Sequence, residues 1–282
     1  MKVYPFQIPK PLHENLIVQE DVVPVFYDLL HQHAEIQLSL IVNGKGKLIV
    51  GDSVHRFREG DIFIIDSHCP HLFRNERTAQ NAHMVSLFFT DKTFGSTFFE
   101  MSDLEEVKPF FEMAKEGFQV FSETDTIKNL ILQIYQSDKL NRFIQFLLLL
   151  KKICAVEKRT LTGFRYSKEI GNSQGKRMQA ILHYTMTNFQ KEIDLNTVCE
   201  IVHMTPNAFC RFFKRHTNKT FFQFLIELRI EHACQLLSKP DYRLSILEIS
   251  EKSGFTSISN FNRQFKKLKG TIPSHYQTIS SL

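Results

Sequence analysis

Thr205-Pro206-Asn207-Ala208-Phe209-Cys210-Arg211-Phe212-Phe213-Lys214-Arg215 and Ser257-Ile258-Ser259-Asn260-Phe261-Asn262-Arg263-Gln264-Phe265-Lys266-Lys267 follow one pattern, 52 residues apart. Phe, Arg, Phe and Lys coincide. Each copy opens on a hydroxyl residue suited to an N-cap, and Pro206 takes the first helical position, where a missing N–H costs nothing. Each copy therefore predicts the start of a helix. Upstream of each is a second short apolar-periodic stretch, residues 195–202 and 246–253, joined to it by a tight turn; the second turn contains Gly254, which tolerates positive φ. The pattern is helix, turn, helix, twice. Phe209 with Phe213, and Phe261 with Phe265, stand four apart and can pack inward, while Arg211 and Arg263 fall on a different face, able to reach a groove. Two helices that only pack would explain the phenylalanines but not the arginine and basic pair recurring at matching places.

Between the repeats, Phe221, Phe224, Leu225, Leu228, Ala233, Leu236 and Leu237 recur at helical intervals, closed by Lys239-Pro240. At 1.5 Å per residue this helix is about 25 Å long. A strut of that length suits two reading heads that enter successive major-groove segments, about 34 Å apart. Charge agrees with this division. Residues 175–282 hold 15 Lys and Arg against 8 Asp and Glu, whereas residues 1–174 hold 20 against 22. A positive surplus confined to one third of the chain points to a polyanionic partner for that third, with a merely soluble basic surface as the alternative.

The remainder reads as a second domain. In 282 residues with 43% apolar content there is room for two ordinary cores. Short β-rich runs at 38–42, 47–50, 61–65 and 84–89, punctuated by Asn43-Gly44, Gly51-Asp52 and Glu59-Gly60, suggest a barrel or sandwich. From Asp103 the period becomes helical, with a helix-rich stretch from Thr126 to Val156. The expected layout is a sensor and dimerisation domain over 1–156 (barrel about 1–100, helices about 103–156), a mobile connector over 157–175, and an all-α DNA-binding domain over 176–282. No leader is expected at Met1–Pro11, and the longest apolar run, 143–150, falls far short of the roughly 20 residues that span a bilayer. That run, apolar on nearly every side, reads as a core or dimerisation helix. Five scattered cysteines fit reduced thiols and a cytoplasmic protein with no membrane contact.

The run Ile249-Ser250-Glu251-Lys252-Ser253-Gly254-Phe255, then Phe261 to Lys267, then Gly270-Thr271-Ile272-Pro273-Ser274-His275-Tyr276, resembles the signature of AraC/XylS-family transcription regulators. The resemblance covers about residues 176–278. His203 and Asn218 replace glycines usual at the two bends of the first unit. By matching positions the resemblance implies base or groove contacts from Asn207, Cys210 and Arg211 and from Ser259, Asn262 and Arg263, with Lys214 and Lys266 neutralising phosphates. It implies double-stranded promoter or operator DNA as partner, a small-molecule effector, a homodimer, and RNA polymerase as a further candidate partner.

His31-x-His33-x3-Gln37-x6-Gly44 reproduces the first cupin motif with Gln37 in place of glutamate, and Gly60, His71 and Asn75 fit the second, with Asp66 and His68 at its usual proline and glycine. On a strand, His31, His33 and Gln37 would alternate onto one face, where His71 could join them. The lost carboxylate argues for a polar ligand pocket built by these four residues, with no metal, no cofactor and no catalytic residue expected. A cupin enzyme carrying a DNA-binding appendage, and a ligand-independent nucleoid-type binder, are the competing classes.

Overall fold

The computed structural model describes residues 15–76, 80–162, 172–238 and 244–280. The chain forms two compact units, the first running to Asn172 and the second from Ser173. Residues 1–14, the connector stretch 163–171 and the Lys239-Pro240 stop lie outside the described residues.

The first unit is built on two antiparallel sheets. Strands β1 (Ile17–Val23), β2 (Ile36–Asn43), β3 (Gly46–Val50), β4 (Ser53–Phe57), β5 (Ile62–Ile65), β6 (His71–Asn75), β7 (Ala82–Phe89), β8 (Phe118–Val120) and β9 (Lys158–Thr160) form a six-stranded sheet in the order β1-β7-β2-β5-β8-β9 and a three-stranded sheet in the order β4-β3-β6. The four β-rich runs of the sequence become β2, β3, β5 and β7. Strand β2 lies between β5 and β7 and is buried on both faces, so its residues divide by parity. Leu38 and Leu40 join a core with Ile62, Ile64, Val85, Leu87 and Phe89, and helices α1 (Lys108–Ala114), α2 (Thr124–Gln136) and α3 (Lys139–Ala155) cover it through Phe110, Ile127, Ile131, Phe146 and Leu149. Ile41 faces the other way, into a core with Leu48, Val50, Phe57, Phe63 and Phe73 contributed by both sheets. The buried polar residues Gln37 and Ser39 share that inward parity.

The connector begins later than composition suggests. Lys158–Thr160 pair with β8, and the N–H groups of Leu161 and Thr162 donate to Gly117 O and Glu116 O at 3.0 and 3.1 Å, burying both residues. Helix α4 (Asn172–Asn188) then absorbs Gly175, so the far side of the polar stretch is helical as well. Local composition reads these residues as loop because they are polar; an open sheet edge recruits them regardless.

The second unit is all helix: α4, α5 (Leu195–Ile201), α6 (Pro206–Thr217), α7 (Phe221–Leu237), α8 (Ile246–Lys252), α9 (Ile258–Lys269) and α10 (Pro273–Ser280). The caps expected at Thr205 and Ser257 are in place, and two more are found. Thr205 Oγ1 accepts from Ala208 N and Ser257 Oγ from Asn260 N, while Thr220 with Gln223 and Ser245 with Glu248 close reciprocal capping boxes. The bends after α5 and α8 turn through positive φ at His203 (52°) and Gly254 (86°), and those after α6 and α9 at Asn218 (54°) and Gly270 (73°). Thus His203 and Asn218 adopt the left-handed backbone that glycine would hold there.

Of the two glycines, Gly254 is hemmed in: a Cβ would meet Phe189 O at 2.5 Å and Arg229 Nε at 2.9 Å, whereas nothing lies within 4 Å of one at Gly270. Gly270→Ala should therefore cost about 1–2 kcal/mol, the left-handed penalty alone. Gly254→Ala should cost distinctly more, read as the larger fall in denaturant midpoint; equal midpoints would show that the close approach is not rigid.

Candidate functional site

Two sites lie in separate units. In the helical unit, Phe209 and Phe213 of α6 and Phe261 and Phe265 of α9 are fully buried. Phe209 stacks on Phe213 at 5.9 Å and both meet Phe221 edge-on at 5.5 Å, while Phe265 packs against Tyr276 of α10 at 5.5 Å. With those faces fixed inward, Asn207, Cys210, Arg211 and Lys214 are all exposed, as are Ser259, Asn262, Arg263 and Lys266. Each set is spaced i, i+3, i+4, i+7, one stripe along one side of a helix. Basic residues also crowd the last turns: Lys214, Arg215 and His216 on α6, and Lys266, Lys267 and Lys269 on α9. The Arg263 guanidinium donates to Asn260 Oδ1 at 2.9 Å, which holds the arginine along its own helix.

In the sheet unit, His31, His33, Gln37 and His71 are brought together and buried. His31 and His33 do not share the strand of Gln37, as alternation implied they would. His31 and His33 lie on the approach to β2, and His31 makes an isolated bridge to His71, each N–H donating to the other's carbonyl at 3.1 and 2.9 Å. Gln37 comes from β2 and His71 from β6. The imidazole of each histidine places Nδ1 2.8 Å from a backbone carbonyl: Leu29 O for His31, Glu35 O for His33 and Cys69 O for His71. Gln37 Oε1 stands 3.1 Å from His33 Nε2 and 2.9 Å from His71 Nε2. Burial lowers the pKa of His31 to about 4 and lowers those of His33 and His71 also, the positive charge of neighbouring imidazolium adding to the effect, so the cluster is neutral at ordinary pH. Among the described residues, these three histidines form a group whose ligand atoms lie within 4.8 Å of one another, close enough to share an ion. A cavity of about 430 Å³ in the same unit is lined by Ala34, Asp66, Ser67, His68, Lys92 and Lys115, among others.

A helix-turn-helix domain model matches residues 198–279 and a cupin domain model matches residues 21–88. The chain is 23% identical over 264 residues to the HTH-type transcriptional regulator YdeC of Bacillus subtilis, covering 90% of this chain and 88% of that one. It is 23% identical over 267 residues to the melibiose operon regulatory protein of Escherichia coli, covering 89% and 83%. Among solved structures, a probable AraC family transcriptional regulator from Rhodopseudomonas palustris matches 37% of this chain and 97% of its own, with 18% identity and a TM-score of 0.36.

Three features were not found from the sequence. Ser39 and Ser86, their hydroxyls 2.8 Å apart, stand behind Gln37, whose Nε2 donates to Ser39 Oγ at 2.8 Å. Ser39 follows Gln37 by two, a signal present in strand parity, but Ser86 arrives only through the register of β2 with β7. The third is Arg229 in the strut. Its guanidinium donates to Phe189 O and Lys191 O at 2.7 and 2.8 Å and lies over the Phe255 ring at 5.9 Å, tying the end of α4, the strut and the second turn together. Arg229→Met keeps much of the stem and removes both bonds. It should lower stability by about 1–3 kcal/mol in chemical denaturation, as expected for the loss of hydrogen bonds from a charged donor, one part-buried and one exposed; an unchanged midpoint would show that the tie contributes nothing to stability.

Proposed function

The chain is an AraC/XylS-family transcription regulator, a cupin domain followed by a helix-turn-helix DNA-binding domain, and from that premise we propose that it reads two successive major-groove segments under the control of a small effector held in the sheet unit. The observation that carries the DNA reading is the pair of exposed stripes opposite buried phenylalanine pairs. Asn207, Cys210 and Arg211 of α6, and Ser259, Asn262 and Arg263 of α9, face base edges, and Lys214 and Lys266 meet phosphates. The 17-residue strut α7, about 25 Å long by its rise per residue, holds the two helices at a spacing compatible with one face of a duplex.

His31, His33, Gln37 and His71 are the effector-binding residues of this reading, and the connector conveys the effector's differential affinity for two states to the DNA-binding unit. The partner for dimerisation is a second copy of the chain. Helix α3, expected to serve core or dimer, buries Phe146, Leu149, Leu150 and Ile153 but leaves Leu140, Ile144 and Leu148 at 69, 47 and 52% exposure, an apolar stripe at i, i+4, i+8. RNA polymerase is the further partner of a promoter-bound dimer, and the cytoplasm its setting; among the described residues no helix is long and apolar enough to cross a membrane.

Two measurements test this. In titrations on matched and mismatched duplexes, Arg263→Ala should relax preference at one base pair by about 1–3 kcal/mol, while Lys266→Ala should weaken every sequence alike and flatten the salt dependence. Identical behaviour of the two variants would remove the distinction between reading and anchoring. In sedimentation, the triple change Leu140→Lys, Ile144→Lys and Leu148→Lys should leave a folded monomer; a dimer that survives it is formed elsewhere.

A further inference from the structure

The cavity of about 430 Å³ in the sheet unit lies on the helix-covered side of the large sheet. Ile36 on its wall belongs with Leu38 and Leu40 to the helix-covered core, and Phe111 of α1 packs against that core, whereas Gln37 on β2 has the opposite parity. The volume falls in the range of small-molecule pockets, about 300–1,000 Å³. Two of the side chains on its wall, Asp66 and His68, stand where the cupin pattern has proline and glycine. His68 keeps the left-handed backbone that glycine would supply, at φ 58°, a conformation costly to a residue with a Cβ. The turn itself calls for glycine, yet the chain sets an imidazole beside the cavity. His68 N–H donates to His33 O at 2.7 Å and Cys69 N–H to Asp66 O at 3.3 Å, which fix this turn after β5. The turn after β7 is fixed as well: Thr90 N–H donates to Thr93 Oγ1 at 2.6 Å and Lys92 N–H to Thr90 Oγ1 at 3.1 Å.

Both signs of charge line the cavity, Asp66 and Asp91 with Lys92 and Lys115. Burial pushes the Asp66 carboxyl above the ordinary carboxylate range, in spite of hydrogen bonds from Ser67 and the positive charge of Lys115. A carboxylate held in this way gains from a cation that a ligand brings in. Lys115 reaches outward to Glu112 at 2.6 Å, an exposed pair worth little and readily exchanged for the carboxylate of a ligand.

We propose that this cavity binds a small dipolar molecule of the α-amino-acid class, its ammonium on Asp66, its carboxylate on Lys115 and Lys92, and its side chain against Ile36 and Phe111. Two aspartates and two lysines balance in the lining, so neither an anion nor a cation is favoured over the other. An uncharged ligand such as a sugar can hydrogen-bond to these groups but neutralises neither sign. A dipolar one makes charge-assisted hydrogen bonds at both ends. The site goes beyond the reading given above: it is separate from His31, Gln37 and His71, and it meets that set through the bond from His68 N–H to His33 O.

The test titrates the full-length protein calorimetrically with the common α-amino acids, with glucose, galactose and inorganic phosphate as comparisons. The tightest amino acid is then replaced by its two truncated forms, the amine without the carboxylate and the acid without the ammonium. Saturable binding of at least one amino acid is expected, weakened by about tenfold or more on loss of either charged group. Asp66→Asn, close to the native shape, should weaken the amino acid by about tenfold and leave the truncated acid unaffected. Lys115→Met should weaken the amino acid and leave the truncated amine unaffected; it decides alone where Asp66→Asn does not fold. Binding of sugar or phosphate without any amino acid, binding of none of them, or amino-acid binding that ignores both substitutions overturns the site. Binding is read without DNA, so the result is independent of whether any operator responds.

Discussion

The DNA-binding unit depends on the burial of two phenylalanine pairs. Fully burying each ring is worth about 1.5–3 kcal/mol, more than any single exposed contact on the same helices can offer. Phe209 and Phe213 therefore set the rotation of α6, and Phe261 and Phe265 that of α9. On a helix the rotation of one face dictates the other. The outward stripes, with Asn207, Arg211, Asn262 and Arg263 exposed on them, are a consequence of that packing.

The two copies are not equal in their surroundings. The second has glycine at both of its left-handed turns, while the first places His203 and Asn218 there at φ 52° and 54°. Asparagine visits this region at small cost; histidine does so less readily. The turn after α8 is also the one wedged against the end of α4: Gln190 Nε2 donates to Lys252 O at 3.0 Å, and Arg229 spans the same junction. Lys269 of α9 pairs with Glu231 of the strut as well. Gly254 is required where backbone meets backbone, whereas Gly270, His203 and Asn218 stand at exposed turns.

In the sheet unit the governing constraint is strand parity combined with register. Because β2 is covered on both faces, Leu38 and Leu40 must enter the helix-covered core, and Gln37 and Ser39 must then enter the space between the sheets. A polar set in that position has to satisfy itself or recruit something. Ser86 on β7 meets Ser39, and the three imidazoles find carbonyls for one nitrogen each. The Nε2 atoms of His33 and His71 both meet Gln37 Oε1, at 3.1 and 2.9 Å.

The sequence alone determined the double helix-turn-helix, its caps, its inward phenylalanines, the four strongest strands and the identity of the four clustered polar residues, because each rests on local period, capping chemistry or a motif carried within a few dozen residues. Only the tertiary structure decided the rest. That His31 and His33 approach β2 without joining it, that Ser86 backs Gln37, that Lys158–Thr160 close a sheet edge in place of a loop, and that Arg229 ties the end of α4 to the turn after α8 all follow from pairings between segments far apart in the chain. Local propensity cannot encode such pairings, since the free energy that selects them appears only when the distant partner is already in place.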